Sequence, residues 1–250
     1  MFKAAPDYSE IDYFEEKLKE AGYETRYVNV IEFEYCNLDV LEGNLKKAEE
    51  FAGLIFTSPR GVKAVSRIPH VSDLMVKWQK LTVFSVGEET RRTVMHELAL
   101  EAQGCEAGNS NSLADIILQK KYVKPFLFPC GNLKHDTLPR KLNDGRVNII
   151  PVTVYETKTH HLLEQTLQDI VVHTCSFPQI VIYFSPSGVR STLPILLKLG
   201  VPLHLLKLIA IGPTTEKSLL EYKLEVSSVA KKPTPEYLLE AVNRCCDIKN

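Results

Sequence analysis

The chain has 250 residues, with 30 basic and 31 acidic side chains and a formal net charge of −1. This balance argues against a general nucleic-acid-binding protein, and no apolar run approaches the roughly 20 residues that span a bilayer. The acidic N-terminal segment lacks the character of a secretory signal. Six cysteines show neither CxxC nor zinc-type spacing, which favours free thiols in the reducing cytosol.

Short β-rich runs alternate with helical patterns along the chain. The first helix is expected to begin near Ser9 and Asp12 and to end at Gly22. The predicted strands are residues 25–31, 53–56, 81–86, 125–128, 147–154, 180–184 and 205–211. Between them, apolar residues recur at three- to four-residue spacing, as in Val94 and Leu98. Continuous apolar strands that alternate with helices indicate parallel sheets covered on both faces, so the predicted fold class is α/β.

The second half of the chain repeats segments of the first half in the same order. Residues 54–63 and 181–190 share a hydrophobic strand followed by Ser-Pro-x-Gly-Val. Residues 86–90 match residues 211–215, and a looser third pair follows. Because matched residues lie about 125 positions apart each time, we infer an ancient duplication of a domain-sized unit.

Each repeated segment lies where a predicted strand ends and a helix begins. Ligands of parallel α/β sheets bind at this edge, and helix N-termini favour carboxylates and phosphates because they carry unsatisfied N–H groups and partial positive charge. The candidate ligand-binding positions are the hydroxyl residues Ser58, Thr90, Ser110, Ser185, Ser187, Thr214, Thr215 and Thr234, the glycines Gly87, Gly188 and Gly212, and Arg60. N-capping alone explains any single one of these hydroxyls, whereas the whole set predicts a ligand with several anionic groups held between two domains.

Conventional catalytic signals are scarce. The sequence has no GxGxxG or P-loop motif, and its seven histidines show no metal-ligand spacing. The pair His160-His161 is interpreted as a solvated linker in preference to a metal site. Tyr155 stands out because it lies at the end of a predicted strand, where one domain hands over to the other, and a phenol can donate a proton to a leaving hydroxyl. The alternative is an ordinary strand residue, matched by Phe33 in the first repeat.

Taken in order, these segments resemble those of the uroporphyrinogen-III synthases, with the eukaryotic branch the most similar. The matching residues are 53–60, 108–110, 127–133, 152–155, 184–188, 211–215 and 233–235. The resemblance implies two flavodoxin-like parallel-sheet domains joined by a two-stranded β connector. One domain would be discontinuous, with residues 1–30 and 158–250, and the other would be residues 37–151. The connector would be residues 31–36 and 152–157, a double hinge that predicts closure on substrate.

The resemblance also implies an activity. The family cyclises hydroxymethylbilane, a linear tetrapyrrole with many carboxylates, to uroporphyrinogen III in haem biosynthesis, with inversion of ring D through a spiro intermediate and loss of water. Tyr155 matches the family tyrosine proposed to assist loss of the hydroxyl, and Thr90 and Thr215 are expected to join it in catalysis. The other candidate positions would bind substrate. The implied enzyme is a cytosolic monomer without cofactor or metal, which takes its substrate from hydroxymethylbilane synthase and has no nucleic-acid or membrane partner.

Two other classes of function remain open at this point. A two-domain binding module could close on a polyanionic small molecule without turnover, because such α/β domains carry many functions. A Rossmann oxidoreductase is a weaker alternative, since the glycine fingerprint of dinucleotide binding is missing. Tyr155 and the hydroxyl residues of both repeats favour the enzyme.

Overall fold

The computed structural model describes residues 1–3, 12–133, 137–173 and 178–246, without the side chain of His173. Over these residues the chain forms two compact units. Unit 1 combines Met1–Glu32 with Lys158–Asn250, and unit 2 is Phe33–Thr157. No helix of the described part has the length and apolar character needed to cross a membrane.

Strands and helices alternate along most of the described residues. The strands are β1 (Phe2–Lys3), β2 (Val28–Asn29), β3 (Ile31–Tyr35), β4 (Gly53–Phe56), β5 (Thr82–Ser85), β6 (Phe126–Gly131), β7 (Ile149–Thr159), β8 (Ile180–Tyr183), β9 (Lys207–Ala210) and β10 (Ser228–Val229). The α-helices are α1 (Tyr13–Glu20), α2 (Leu38–Leu45), α3 (Pro59–Ser66), α4 (Val71–Trp78), α5 (Glu88–Leu98), α6 (Ser110–Leu118), α7 (Thr137–Asp144), α8 (Leu163–His173), α9 (Pro186–Lys198), α10 (Pro213–Glu221) and α11 (Pro235–Cys246).

Each unit is built on its own sheet. The described strands of unit 1 are ordered β10-β9-β8-β1-β2, and adjacent strands run parallel. The second sheet has the order β3-β7-β6-β4-β5, in which β4 pairs in parallel with β5 and β6, and β6 with β7. Consecutive strands that pair in parallel, such as β8 and β9 or β6 and β7, are joined by a helix, as parallel pairing requires. The pairs β1–β8 and β4–β6 join strands that are not consecutive in the chain.

Both faces of these sheets are buried. In β4, Leu54 and Phe56 belong to one hydrophobic cluster, and Ile55 belongs to another. β8 alternates in the same way between two clusters of unit 1. Because successive side chains of a strand point to opposite faces, helices must cover the sheet on both sides. The predicted α/β class with parallel sheets is therefore confirmed.

Several predicted boundaries need correction. Residues 25–31 do not form one strand, because β2 pairs with β1 in one sheet and β3, from Ile31, joins the other. The strand predicted over residues 125–128 is β6, which starts at Phe126 and continues to Gly131 because it pairs with β7 up to that residue. Leu205 ends a short 3₁₀ turn, so β9 starts only at Lys207. The two-residue strand β10 was not predicted, because a segment so short carries no periodicity.

The start of the first helix follows only part of the prediction. Asp12 caps α1, and its carboxylate accepts a hydrogen bond from the backbone N–H of Phe14 at 3.1 Å. Gly22, just after the helix, has φ +84°, a conformation that glycine adopts without strain. The other predicted capping residue, Ser9, lies outside the described residues.

Candidate active site

Tyr155 lies on β7 directly over the backbone of the neighbouring strand. A β-bulge between Cys130 and Gly131 brings Gly131 opposite Tyr155. A Cβ atom placed on Gly131 would lie 2.6 Å from two ring atoms of Tyr155 and 2.9 Å from its hydroxyl oxygen. Only glycine therefore permits this approach. The backbone N–H of Asn132 also donates to the carbonyl of Tyr155 at 3.1 Å, so the strand segment is held beside the ring.

The hydroxyl of Tyr155 contacts Ser58, the first residue of the repeated Ser-Pro-x-Gly-Val motif. It donates to Ser58 Oγ at 3.2 Å, and the same oxygen accepts the backbone N–H of Arg60 at 3.1 Å. Ser58 is the N-cap of α3, and Pro59 starts the helix with a preset φ. Since a hydroxyl has two acceptor lone pairs and one proton, Ser58 retains its own O–H for donation to a further group.

A cavity of about 190 Å³ opens beside this pair. Its polar lining consists of the hydroxyl residues Thr57, Ser58, Ser110, Tyr155 and Thr157, and its apolar lining includes Phe128, Leu133 and Leu138. Pockets that enclose drug-sized ligands measure about 300–1,000 Å³, so this cavity alone can accept only part of a larger molecule. The N-termini of α3 and α6 both reach it, because Ser58 caps the first and Ser110 starts the second.

The remaining predicted positions of unit 2 differ in character. The guanidinium of Arg60 lies 3.5 Å from the centre of the Phe33 ring, a cation–π contact. Gly87 has φ +75° before α5, whereas Thr90 is only 3% exposed. The first turn of α5 carries Glu88, and the hydrogen bonds that this carboxylate accepts from Arg91 lower its pKa to about 2. An anion that approaches the N-terminus of α5 therefore also approaches the negatively charged carboxylate of Glu88.

In unit 1 the second Ser-Pro segment repeats the cap. Ser185 caps α9, and its Oγ accepts the backbone N–H of Gly188 at 3.1 Å. Ser185 Oγ and Ser187 Oγ lie 2.9 Å apart. A carboxylate that binds the N–H of Gly188 must therefore compete with Ser185, a condition that the sequence pattern alone does not reveal.

The neighbouring loops of unit 1 carry the other predicted hydroxyls. Gly212 precedes α10 in an extended conformation, with φ 179°. Thr214 is exposed, whereas Thr215 is only 2% exposed and its N–H donates to the carbonyl of Gly212. Thr234 donates its hydroxyl hydrogen to Glu236 at 2.8 Å. These loops follow β9, which lies next to β8 in the sheet, and β10, which lies next to β9. Because these strands run parallel, the loops share one edge of the sheet with Ser185.

The chain matches the family model described as uroporphyrinogen-III synthase HemD over residues 12–240. The chain belongs to the uroporphyrinogen-III synthase family. The uroporphyrinogen-III synthase of Saccharomyces cerevisiae is 28% identical over 255 residues, which covers 93% of this chain and 91% of the yeast protein. That of Schizosaccharomyces pombe is 27% identical over 239 residues and covers 92% and 91%. The predicted resemblance is thereby confirmed.

Solved structures of uroporphyrinogen-III synthases share the fold. The enzyme from Helicobacter pylori gives a TM-score of 0.63 at 22% identity and covers 88% of this chain and 95% of its own. A mutant enzyme from Thermus thermophilus gives 0.59 at 13% identity and covers 95% of both chains. As a family member the chain is an enzyme of tetrapyrrole biosynthesis that cyclises hydroxymethylbilane. None of these matches supports the binding module or the oxidoreductase.

The structure groups some of the predicted positions and adds others. Ser58, Ser110 and Tyr155 line one cavity, as a shared role would require. The cavity residue Thr157 was not predicted as a site residue, and Gly131, which lies in the matching residues 127–133, was assigned no role of its own. The only signal for Gly131 in the sequence was a glycine at the end of a buried strand. Its contact with Tyr155 depends on the register between β6 and β7.

Proposed function

We propose that this enzyme converts hydroxymethylbilane to uroporphyrinogen III with Tyr155 as the proton donor to the departing hydroxyl of ring A. The observation that supports this role is the contact between the Tyr155 hydroxyl and Ser58 Oγ, at 3.2 Å, beside a cavity lined by hydroxyl groups. General acids of this kind accelerate a reaction about 10²–10⁴-fold.

The chemistry needs a donor because hydroxide is a poor leaving group. The C–O bond breaks with its electron pair on oxygen, and the proton of Tyr155 completes a water molecule. The remaining positive charge spreads over ring A as an azafulvene cation. Ring D attacks it through its substituted carbon, and the spiro intermediate fragments and recombines with ring D inverted. The proton lost from a ring D carbon when that pyrrole becomes aromatic again restores the Tyr155 hydroxyl.

Ser58 has a second task in this proposal. When Tyr155 gives up its proton, the phenolate needs a new hydrogen bond. The hydroxyl of Ser58 can rotate and donate its own hydrogen to that oxygen, because its Oγ already lies within reach. The N–H of Arg60 continues to hold Ser58 in place.

The carboxylates of hydroxymethylbilane are proposed to bind at helix N-termini. In unit 2 these are the starts of α3 and α6, with Ser58 and Ser110, and the glycine turn at Gly87. In unit 1 they are the starts of α9, α10 and α11, near Ser187, Thr214 and Thr234. Partial positive charge and N–H donors favour carboxylates at such positions. We also propose that Thr90 and Thr215 take part in catalysis, as the family resemblance implies, although both residues are buried in this structure.

Product-isomer analysis tests the reaction directly. Hydroxymethylbilane is generated in place with hydroxymethylbilane synthase, the protein is added, and the oxidised type I and type III porphyrins are separated. We expect type III to predominate, because the uncatalysed closure leaves ring D uninverted and gives type I. Type I alone, from protein with an intact circular-dichroism spectrum, would instead support the binding module.

We further propose a cytosolic monomer that receives its substrate in a transient hand-over from hydroxymethylbilane synthase. The near-neutral charge suits a small-molecule substrate and no nucleic-acid or membrane partner. Sedimentation at several concentrations tests the monomer. If substrate is handed over, hydroxymethylbilane made in the presence of both enzymes should yield more type III product than an equal amount prepared separately and then added. Equal yields from the two experiments would contradict the hand-over.

The serines at the start of α9 should separate binding from stability. We expect Ser187→Ala to raise KM about tenfold through loss of a hydrogen bond to a charged group, with the urea midpoint unchanged. Ser185→Ala should raise KM similarly and also lower the free energy of unfolding by about 1 kcal/mol, because it removes the N-cap. Ser191→Ala, on the same helix but bonded to Thr159, is the control. Unchanged KM values would remove this helix from the substrate site.

A further inference from the structure

Three potential metal ligands meet where the chain leaves unit 1 and where it returns. Glu32 is the last residue before the first crossing, and His160 and His161 follow the second. One carboxylate oxygen and two imidazole nitrogens from these residues all lie within 4.8 Å of one another. None of the three has a part in the proposed reaction.

The backbone around this cluster is fixed by hydrogen bonds. The N–H of His160 donates to the carbonyl of Val30 at 3.1 Å. The carbonyl of His160 accepts a hydrogen bond from the N–H of Leu163 at 2.9 Å, where α8 begins. The side chains themselves reach solvent, because Glu32 is 33% exposed and His161 is 65% exposed. A fixed backbone with accessible side chains allows an ion to enter and a water molecule to complete its coordination.

The side-chain geometry comes close to a metal site and needs small changes. Glu32 Oε2 and His161 Nδ1 are 2.7 Å apart, whereas neighbouring ligands of tetrahedral Zn²⁺ are separated by about 3.3 Å. The two imidazole rings are stacked at 4.8 Å and must turn before their in-plane lone pairs converge. That rotation breaks the bond from the Leu162 N–H to His160 Nδ1, which is long at 3.3 Å. Exposed side chains change rotamer readily.

We propose that Glu32, His160 and His161 form a binding site for Zn²⁺, with water in the remaining position. Two imidazoles and one carboxylate suit Zn²⁺, whereas Mg²⁺ and Ca²⁺ prefer oxygen ligands alone. The ion would replace the direct hydrogen bond between Glu32 and His161. It would also tie the segment that leaves unit 1 to the segment that returns, so it stabilises the folded chain in proportion to its occupancy.

Calorimetric titration of the chelator-treated full chain with Zn²⁺ tests the site. We expect one equivalent to bind, the unfolding temperature to rise with Zn²⁺ concentration, and millimolar Mg²⁺ to leave the titration unchanged. Glu32→Gln and His161→Ala should each weaken Zn²⁺ binding by at least about tenfold. Loss of a residue that merely orients a metal-binding side chain already lowers metal affinity by about that factor. Both variants replace accessible side chains. If His161→Ala folds poorly, Glu32→Gln still tests the site, because glutamine has nearly the same shape as glutamate.

Two controls separate this site from other zinc-binding groups. His96 lies 3.3 Å from Glu97 and belongs to no three-ligand cluster in the described residues, so His96→Ala should bind Zn²⁺ as the wild type does. Cys246→Ser should do the same. The proposal is overturned if Glu32→Gln and His161→Ala retain wild-type affinity, if Cys246→Ser abolishes binding, or if Mg²⁺ displaces the ion.

Discussion

Tyr155→Phe is expected to lower kcat about a hundredfold or more while KM changes less than twofold. The variant keeps the ring and its packing but removes the proton that the departing hydroxyl needs, and general-acid catalysis contributes about 10²–10⁴-fold. The hydroxyl bonds to Ser58 in a half-buried position, so folding should survive its loss. Steady-state kinetics with isomer analysis, and urea unfolding of the same preparations, measure both effects.

Tyr35→Phe is the matched control for this variant. Tyr35 lies on β3 in the same unit, and its ring packs under the guanidinium of Arg67, away from the cavity lining. Its kcat should equal that of the wild type. If Tyr155→Phe also retains the wild-type rate, Tyr155 has no part in the mechanism and another group supplies the proton.

Gly131→Ala is expected to lower kcat nearly as much, through the position of Tyr155. The new methyl group would lie 2.6 Å from the tyrosine ring, so the ring must move by close to an ångström to restore normal contact. A displacement of about 1 Å can cost 10²-fold in rate. Overpacking of this kind also lowers stability by about 1–3 kcal/mol, which urea unfolding would record separately from kcat.

A double-variant comparison shows whether Gly131 acts through the tyrosine hydroxyl. In the Tyr155→Phe background, Gly131→Ala should cause little further loss of kcat, because the group that it displaces is already gone. Gly43→Ala is the control, since an added Cβ at Gly43 meets no atom within 4 Å. An undiminished loss in the double variant would show that Gly131 has a role of its own.

The sequence singled out Tyr155 as a candidate proton donor but did not show what surrounds it. Tyr155 stood out because a phenol at the end of a strand is chemically distinctive, and Ser58 because a Ser-Pro pair at a strand end is a strong helix N-cap signal. Their contact joins residues 97 positions apart. Gly131 could not be interpreted in advance, because its role comes from a bulge that shifts the register between β6 and β7.

Local patterns determined the α/β class, most helix starts and the hydroxyl residues at the strand ends, because periodicity and capping act over a few residues and are written directly in the chain. The tertiary structure decided how the segment from Val28 to Tyr35 is shared between two sheets. It also decided that Thr90 and Thr215 are buried, and that Glu32 meets His161 across 129 positions. Strand register and burial depend on contacts between distant segments, and no local pattern carries that information.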